Sequence, residues 1–396
     1  MKKKPQPEAQ TTTTLEVEGE ALSSGWHILD IVTSWQGGFP AGSITLLTGP
    51  PNSGKTSICV NATADAIKRG WKVLYFDVES RLAANPKRLL DRGLTPEEIR
   101  EKLIYYPAEF IVEKIAKIIR GEITSTQDYP RLVVIDSLSS LQTVKQFSIM
   151  QAGKWEDQSS HLVAALSRSI VECFKDIFSF YVPTKKIVML LTAQVRANLQ
   201  PAGVRATKPA VGYYVLHAVH THINIFSYDT KKSEVDEKIL GLPLEVKPPG
   251  MEPKPTLRTV LATVEKGQLS PAGSGITVKG LMFQTNIPEW GIVMGDFHNV
   301  YDLLKYGRSP LTSFLKRGQN GYITPSGKEI TAQSLITDPK LRKEVLEECY
   351  PLLKEKVQNA LLALHKSRRR SEATEDEEEM YGVEDEEEIV DVGEGG

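Results

Sequence analysis

Eight consecutive residues carry the clearest chemistry in the chain. Gly49-Pro50-Pro51-Asn52-Ser53-Gly54-Lys55-Thr56 fits GxxxxGK[ST], with Ser57 directly after it. Such a loop wraps a phosphate: glycines let backbone N–H groups turn toward its oxygens, and the helix that follows adds its positive end. The two prolines have no N–H to give, so the cradle must begin at Asn52. Lys55 is expected to reach the β- and γ-phosphates of a nucleotide and Thr56 to bind Mg²⁺. Asp136 ends the run Leu132-Val133-Val134-Ile135 and suits a second metal ligand acting through the ion's water shell; an Asp at a strand end is also an ordinary helix cap. Glu79, within Tyr75-Phe76-Asp77-Val78-Glu79-Ser80, is the expected general base for an attacking water. Asp77, two residues earlier, points to the same side on a strand, and Glu79 is preferred because it sits nearer the strand end. Gln194 closes another apolar run and is placed to sense a γ-phosphate. Residues 195–212 then hold Arg196, Arg205, Lys208, two prolines and two glycines. They read either as a polyanion-binding loop behind the sensor or as a plain unstructured connection.

These residues need a frame. Ser43–Leu47, Lys72–Phe76, Leu132–Ile135 and Lys186–Leu191 are apolar runs, each followed by a polar residue, as in strands of a parallel sheet covered on both faces. Helical periodicity lies between them, over Thr56–Lys68 and Phe110–Ile119. The alternation predicts an α/β core with a mostly parallel central sheet. Three further strands, around Thr221–Ser227, Leu257–Glu265 and Gly275–Phe283, follow without intervening helices and are expected to extend the sheet antiparallel. After Pro288 a small α+β unit is expected, with a hairpin turning at Pro325-Ser326-Gly327 and a helix from about Lys340 that Pro351 should kink or restart. The expected boundaries are a flexible N-terminal arm over 1–22, in which Leu15-Glu16-Val17 could pair as a strand, a core over 23–286, the small C-terminal domain over 287–366 and a disordered acidic tail over 367–396.

Composition narrows the partners. No run of about 18 apolar residues is present, nor an apolar stretch near the N-terminus of the kind that marks secretion, so a non-membrane protein is expected. Cys59, Cys173 and Cys349 form no CxxC pair, which points to a reducing compartment and no structural metal. The formal charge of −2 over 396 residues hides 13 acidic and no basic residues from Ser371 onward. The remainder holds 48 basic against 37 acidic residues, a body of +11. A basic body with an acidic tail fits a polyanionic partner, and equally a tail that keeps the chain soluble.

Taken in order, these motifs resemble the RecA-type DNA recombinases, and among them the bacteriophage UvsX-like branch. Leu22-Ser23-Ser24-Gly25, Leu29-Asp30-Ile31 and Gly37-Gly38-Phe39-Pro40-Ala41-Gly42 look like that family's lead-in to the phosphate loop. Glu79 falls at its catalytic glutamate, Asp136-Ser137 at its Mg-binding pair, and Gln194 at the glutamine that opens the second DNA-binding loop. Val264-Glu265-Lys266 is similar to the stretch that brings a lysine across a subunit interface to the neighbour's ATP. Asp302-Leu303-Leu304, Gly321-Tyr322 and Asp338-Pro339 resemble the family's C-terminal domain.

The resemblance implies a RecA-like P-loop ATPase core and a DNA-dependent ATPase. It implies a helical homo-oligomer on single-stranded DNA, with ATP and Mg²⁺ between subunits, that pairs with homologous double-stranded DNA and exchanges strands. It places the protein in the cytosol of a bacterium or a phage-infected host, and extends the partners to single-strand-binding and loader proteins. A first DNA-binding loop would fall near Gln142–Trp155, with Lys145 and the apolar pair Ile149-Met150, whose alternative role is core packing. Arg196, Arg205 and Lys208 would grip phosphates. Bacterial members differ at several points. They have a longer N-terminal region, paired glycines where this chain has Gly212 alone, a tyrosine that stacks on adenine where Pro86 lies nearby, and a second lysine where Gln268 stands. A ring-forming helicase or a KaiC-like signalling ATPase shares the core fold and is the competing expectation.

Overall fold

The computed structural model describes residues 19–125, 127–151, 159–199, 205–209, 211–246, 254–271 and 273–381. Its centre is one nine-stranded sheet. Six strands run parallel, in the spatial order Thr221–Asp229, Ile44–Gly49, Val188–Leu199, Leu132–Asp136, Val73–Asp77 and Leu103–Pro107. The apolar runs become these strands because each must bury both faces. In Leu132–Ile135, Leu132 and Val134 face one apolar layer while Val133 and Ile135 face the other, and Tyr75 and Phe76 divide in the same way. That is the period-two alternation of a strand. Helix Lys55–Lys68 packs in the first layer, and helices Val112–Ser125 and Ser159–Asp176 in the second. The result is a helix–sheet–helix sandwich.

Beyond Thr221–Asp229 the sheet changes direction: Leu257–Gly267 pairs with it antiparallel, and Ile276–Phe283 pairs antiparallel with that. Only these last two strands form the expected antiparallel extension. Thr221–Asp229 is instead parallel to the phosphate-loop strand, with Thr45 opposite Thr221 and Thr48 opposite Asn224. The reason is helix Gly212–Ala218 just before it, which supplies the crossover a parallel neighbour needs.

Three further expectations change. Residues 195–199 and 205–209 are not an open loop but the arms of an antiparallel hairpin that prolongs the Val188–Leu199 strand past Gln194. At the N-terminal edge, Ala21–Leu22 pairs with Phe39–Pro40, and Leu22 is fully buried, so the core begins inside the expected arm; Leu15-Glu16-Val17 lies outside the described residues. The last helix runs unbroken over Pro339–Tyr381, through Pro351 and beyond residue 366, where an unstructured tail was expected to start. Pro351 stands on an exposed face, where water can serve the carbonyl left without its N–H partner. The Glu- and Arg-rich composition of 367–381 favours helix; residues 382–396 lie outside the described set.

The C-terminal unit forms its hairpin, Tyr322–Ile323 against Glu329–Ile330. Its apolar centre (Leu303, Leu335, Val345, Cys349) is continuous with Leu257, Leu281 and Phe283 of the sheet. Trp26 ties the lead-in to this unit. It stacks on Phe297 at 4.8 Å, and its Nε1 donates to Asp302 Oδ2 at 2.9 Å. Among the described residues no helix is long and apolar enough to cross a membrane.

Candidate nucleotide site and the hairpin attached to it

Parallel pairing brings four functional segments to the carboxyl edge of the sheet, where open α/β sheets bind ligands. Gly49 lies opposite Gln194, and Asp77 opposite Asp136. The loop from Gly49 turns into helix Lys55–Lys68, whose N-cap Gly54 has φ 106° and offers no capping side chain. The helix end is thereby left to an anion. Gly49 admits no side chain, since an added Cβ would lie 2.0 Å from the Ile225 carbonyl oxygen. Lys55 Nζ donates to the Gly49 and Pro50 carbonyls at 2.9 and 2.8 Å and to Ser53 Oγ at 3.3 Å. Burial lowers the lysine to about 8, against the pull of Asp136. Pro50, with no N–H to give, serves through its carbonyl.

Thr56 Oγ1 donates to Asp136 Oδ2 at 2.8 Å, and Thr192 Oγ1 to Asp136 Oδ1 at 2.6 Å. Burial raises the Asp136 carboxyl, with both threonines opposing. Among the described residues no group of three or more His, Cys, Asp or Glu gathers into a metal cage. A threonine hydroxyl and one carboxylate suit an ion completed by phosphate and water oxygens, as Mg²⁺ is.

Glu79 is the hub of the opposite wall. Its Oε1 accepts from Ser137 Oγ at 2.9 Å, Gln194 Nε2 at 3.0 Å and Ser140 Oγ at 3.2 Å, while Oε2 accepts from Arg81 Nε at 2.7 Å. Burial pushes its carboxyl up, but the Arg81, Ser137 and Gln194 contacts outweigh it and hold the group below the ordinary value. Asp77 does not share this wall. The strand ends at Asp77, so alternation stops before Glu79. Asp77 is fully buried and takes the backbone N–H groups of Arg81, Leu82 and Ala83 and the Tyr105 hydroxyl.

Asn52–Ser57, Glu79, Asp136 and Gln194 line one cleft of about 430 Å³. Sequence reasoning missed Arg81, Arg88, Arg258, Met282 and Met294, which line it too. Arg258 Nη1 donates to the Asn52 carbonyl at 3.3 Å and Arg88 Nη2 to Ser57 Oγ at 3.0 Å. The Nε atoms of both arginines are buried without a hydrogen-bond partner, that of Arg258 lying 3.7 Å from Asp229 Oδ1. Arg81 could have been read from its place beside Glu79. Arg258 and the methionines come from strands and turns some 200 residues away in sequence and carry no local signal. A larger cleft, about 580 Å³, lies between helix Lys55–Lys68 and the C-terminal unit and contains none of the phosphate-loop residues.

The remaining candidates are spread out. Lys145 is exposed, and Ile149 and Met150 half-buried, on helix Val144–Gln151 rather than a loop; Trp155 lies outside the described residues. Arg196 sits opposite Lys208 across the hairpin, and Arg205 opposite Leu199. Lys266 is away from the cleft, at the end of helix Gly212–Ala218.

Fold and site together define a phosphate-loop nucleotide-binding protein with a doubly covered, mostly parallel sheet. The family model for the RecA N-terminal domain matches residues 9–208, just over half of the chain, and the chain belongs to that family. It is similar to DNA repair and recombination protein RadB of Thermococcus kodakarensis (32% identical over 155 residues, 38% of this chain and 61% of that protein). It is also similar to RadB of Methanobrevibacter smithii (26% over 134 residues, 34% and 57%) and to protein RecA of Bdellovibrio bacteriovorus (40% over 80 residues, 20% of each). The chain thus spans about three-fifths of these RadB proteins and a fifth of that RecA.

Proposed function

We propose that the chain is an ATP-hydrolysing DNA recombinase that assembles as a helical filament on single-stranded DNA, pairs it with a homologous duplex and exchanges strands. The observation that carries this reading is the position of Gln194. Its amide touches Glu79 at 3.0 Å, its backbone N–H donates to Ser139 Oγ at 2.7 Å, and the same strand continues as the basic hairpin. A change at the hydrolytic carboxylate therefore has one rigid element through which to reach the hairpin. Glu79 orients and deprotonates the attacking water. Lys55 and the N–H groups from Asn52 onward hold the phosphates, and Thr56 and Asp136 hold the ion. Mg²⁺, when bound, neutralises charge on the β- and γ-phosphates. Met282 and Met294 offer apolar surface for the base in place of the tyrosine of bacterial members. Lys266 meets the nucleotide of a neighbouring subunit, and Lys145, Ile149, Met150, Arg196, Arg205 and Lys208 contact DNA.

Electron microscopy with an ATP analogue, Mg²⁺ and single-stranded DNA tests the reading: helical filaments are expected, and closed rings would replace it with the helicase alternative. Two further outcomes are expected. Because Lys55 of the free protein loses its proton as pH rises through about 8, kcat/KM for ATP should decline above that pH while kcat, which reports the bound state, declines less. Deleting 371–396 should strengthen duplex binding at matched salt, because a tethered polyanion competes for the basic surfaces; an unchanged affinity in a filter-binding titration would remove that competition.

A further inference from the structure

We infer that Lys266 is a positioning residue for the basic hairpin. Its Nζ donates to the carbonyls of Val219 at 2.6 Å, His217 at 3.0 Å and Leu216 at 3.1 Å. These carbonyls close helix Gly212–Ala218, where the last turn of a helix has no intrahelical partners. A cation there also suits the negative end of the helix. Burial lowers the lysine from its ordinary value, as expected of an amine drawn from water into this position.

Local structure aims the side chain. Along Leu257–Gly267 the pairing with Thr221–Asp229 is regular up to Val264, then shifts by a bulge between Val264 and Lys266. A bulge re-aims the side chains beside it, and here Lys266 ends on the helix. The helix is the joint between two functional parts. Arg205–Pro209, the second arm of the hairpin, ends shortly before Gly212. Thr221–Asp229, on the other side, pairs with the phosphate-loop strand. Val211, Val215 and Val219 are buried beneath the helix, so its face is fixed by packing and its end by Lys266.

An ammonium has three N–H donors, and three acceptors stand around this one. The amine is fully committed. Where the proposed function has Lys266 meet a neighbour's nucleotide (the following step rests on that reading), the two roles exclude each other. An amine that reaches a phosphate on the next subunit must release the helix end, and with it the anchor of the hairpin. Subunit contact and hairpin placement then compete for one side chain.

Hydrogen exchange on the full chain, dilute and without nucleotide, tests this. Lys266→Met keeps most of the aliphatic stem and removes all three donors. Amides of residues 216–220 are expected to exchange about tenfold faster than in the unchanged chain, with residues 44–49 and 132–136 unaffected. Lys266→Gln, with two donors, should fall between, and serves if the Met variant does not fold. Unaltered exchange at 216–220 in either variant overturns the inference. Filament formation by the same variants separates it from the neighbour contact. Faster exchange with normal filaments upholds the helix anchor and removes the trans role, whereas normal exchange with lost filaments does the reverse.

Discussion

Glu79→Gln is expected to cut ATP turnover by about 10²- to 10⁴-fold while leaving the protein folded and able to bind nucleotide. The amide has the shape of the carboxyl and keeps an oxygen for Ser137, Ser140 and Gln194, which all converge on Oε1. What it lacks is the ability to take a proton from water. The ion pair with Arg81 is lost as well, but that guanidinium is 38% exposed and a pair in such a setting contributes about 1 kcal/mol or less. Single-turnover phosphate release alongside nucleotide binding checks the expectation, and turnover close to that of the unchanged chain would end the assignment of Glu79 as base.

The acid side of the pH profile adds a second constraint. Glu79 is held below its ordinary value of 4.5 by Arg81, Ser137 and Gln194 against the opposing effect of burial. Its folded pKa is depressed, so its contribution to stability is present above the unfolded value and is lost as pH falls through the lower folded one. In the folded protein the carboxylate therefore keeps its charge to lower pH than an ordinary glutamate does. The acid limb that Glu79 sets in the turnover profile is expected to lie correspondingly lower than for an unpaired glutamate.

Much of this site was legible in the sequence, and the reason is local. The phosphate loop is contiguous, and Glu79, Asp136 and Gln194 each end an apolar run, so strand ends could be read as site positions. The parallel sheet then brings those ends together without any residue having to announce its partner. What stayed hidden depends on tertiary pairing. Thr221–Asp229 looked antiparallel because helix Gly212–Ala218 is short and its apolar face, Val211, Val215 and Val219, resembles the flank of a strand as readily as a helix. The hairpin arms 195–199 and 205–209 were masked by prolines and glycines that read as loop. Arg258 and Met282 reach the cleft from the far strands of the sheet, a placement only the fold can give. Asp77 looked as though it shared a side with Glu79 because alternation was carried past the strand end, where it no longer applies.

That last ambiguity makes the second large effect. Asp77→Ala is expected to lower stability by about 3–5 kcal/mol and the melting temperature by roughly 10 °C. The carboxylate is fully buried. Oδ1 takes the Arg81 N–H at 2.9 Å, and Oδ2 takes Leu82 N–H at 2.8 Å, Ala83 N–H at 2.9 Å and the Tyr105 hydroxyl at 2.6 Å. Truncation leaves four donors without their acceptor, and each orphaned buried group costs about 1–3 kcal/mol. The partly exposed turn at Arg81 and Ala83 recovers some of this through water. Activity should fall as well, by a different route: the turn that Asp77 closes also presents Arg81 to Glu79 Oε2 at 2.7 Å, so loosening it misplaces the base rather than removing it. The two variants should therefore separate in a paired experiment. Glu79→Gln melts like the unchanged chain and does not turn over. Asp77→Ala melts early, and cooling it below its transition restores part of its turnover. A Asp77→Ala protein with normal melting and no hydrolysis at any temperature would reverse the roles and make Asp77 the base. Its place argues against that: Asp77 is fully buried beneath the turn and does not line the cleft, whereas Glu79 does, so water held in the cleft meets Glu79 and not Asp77.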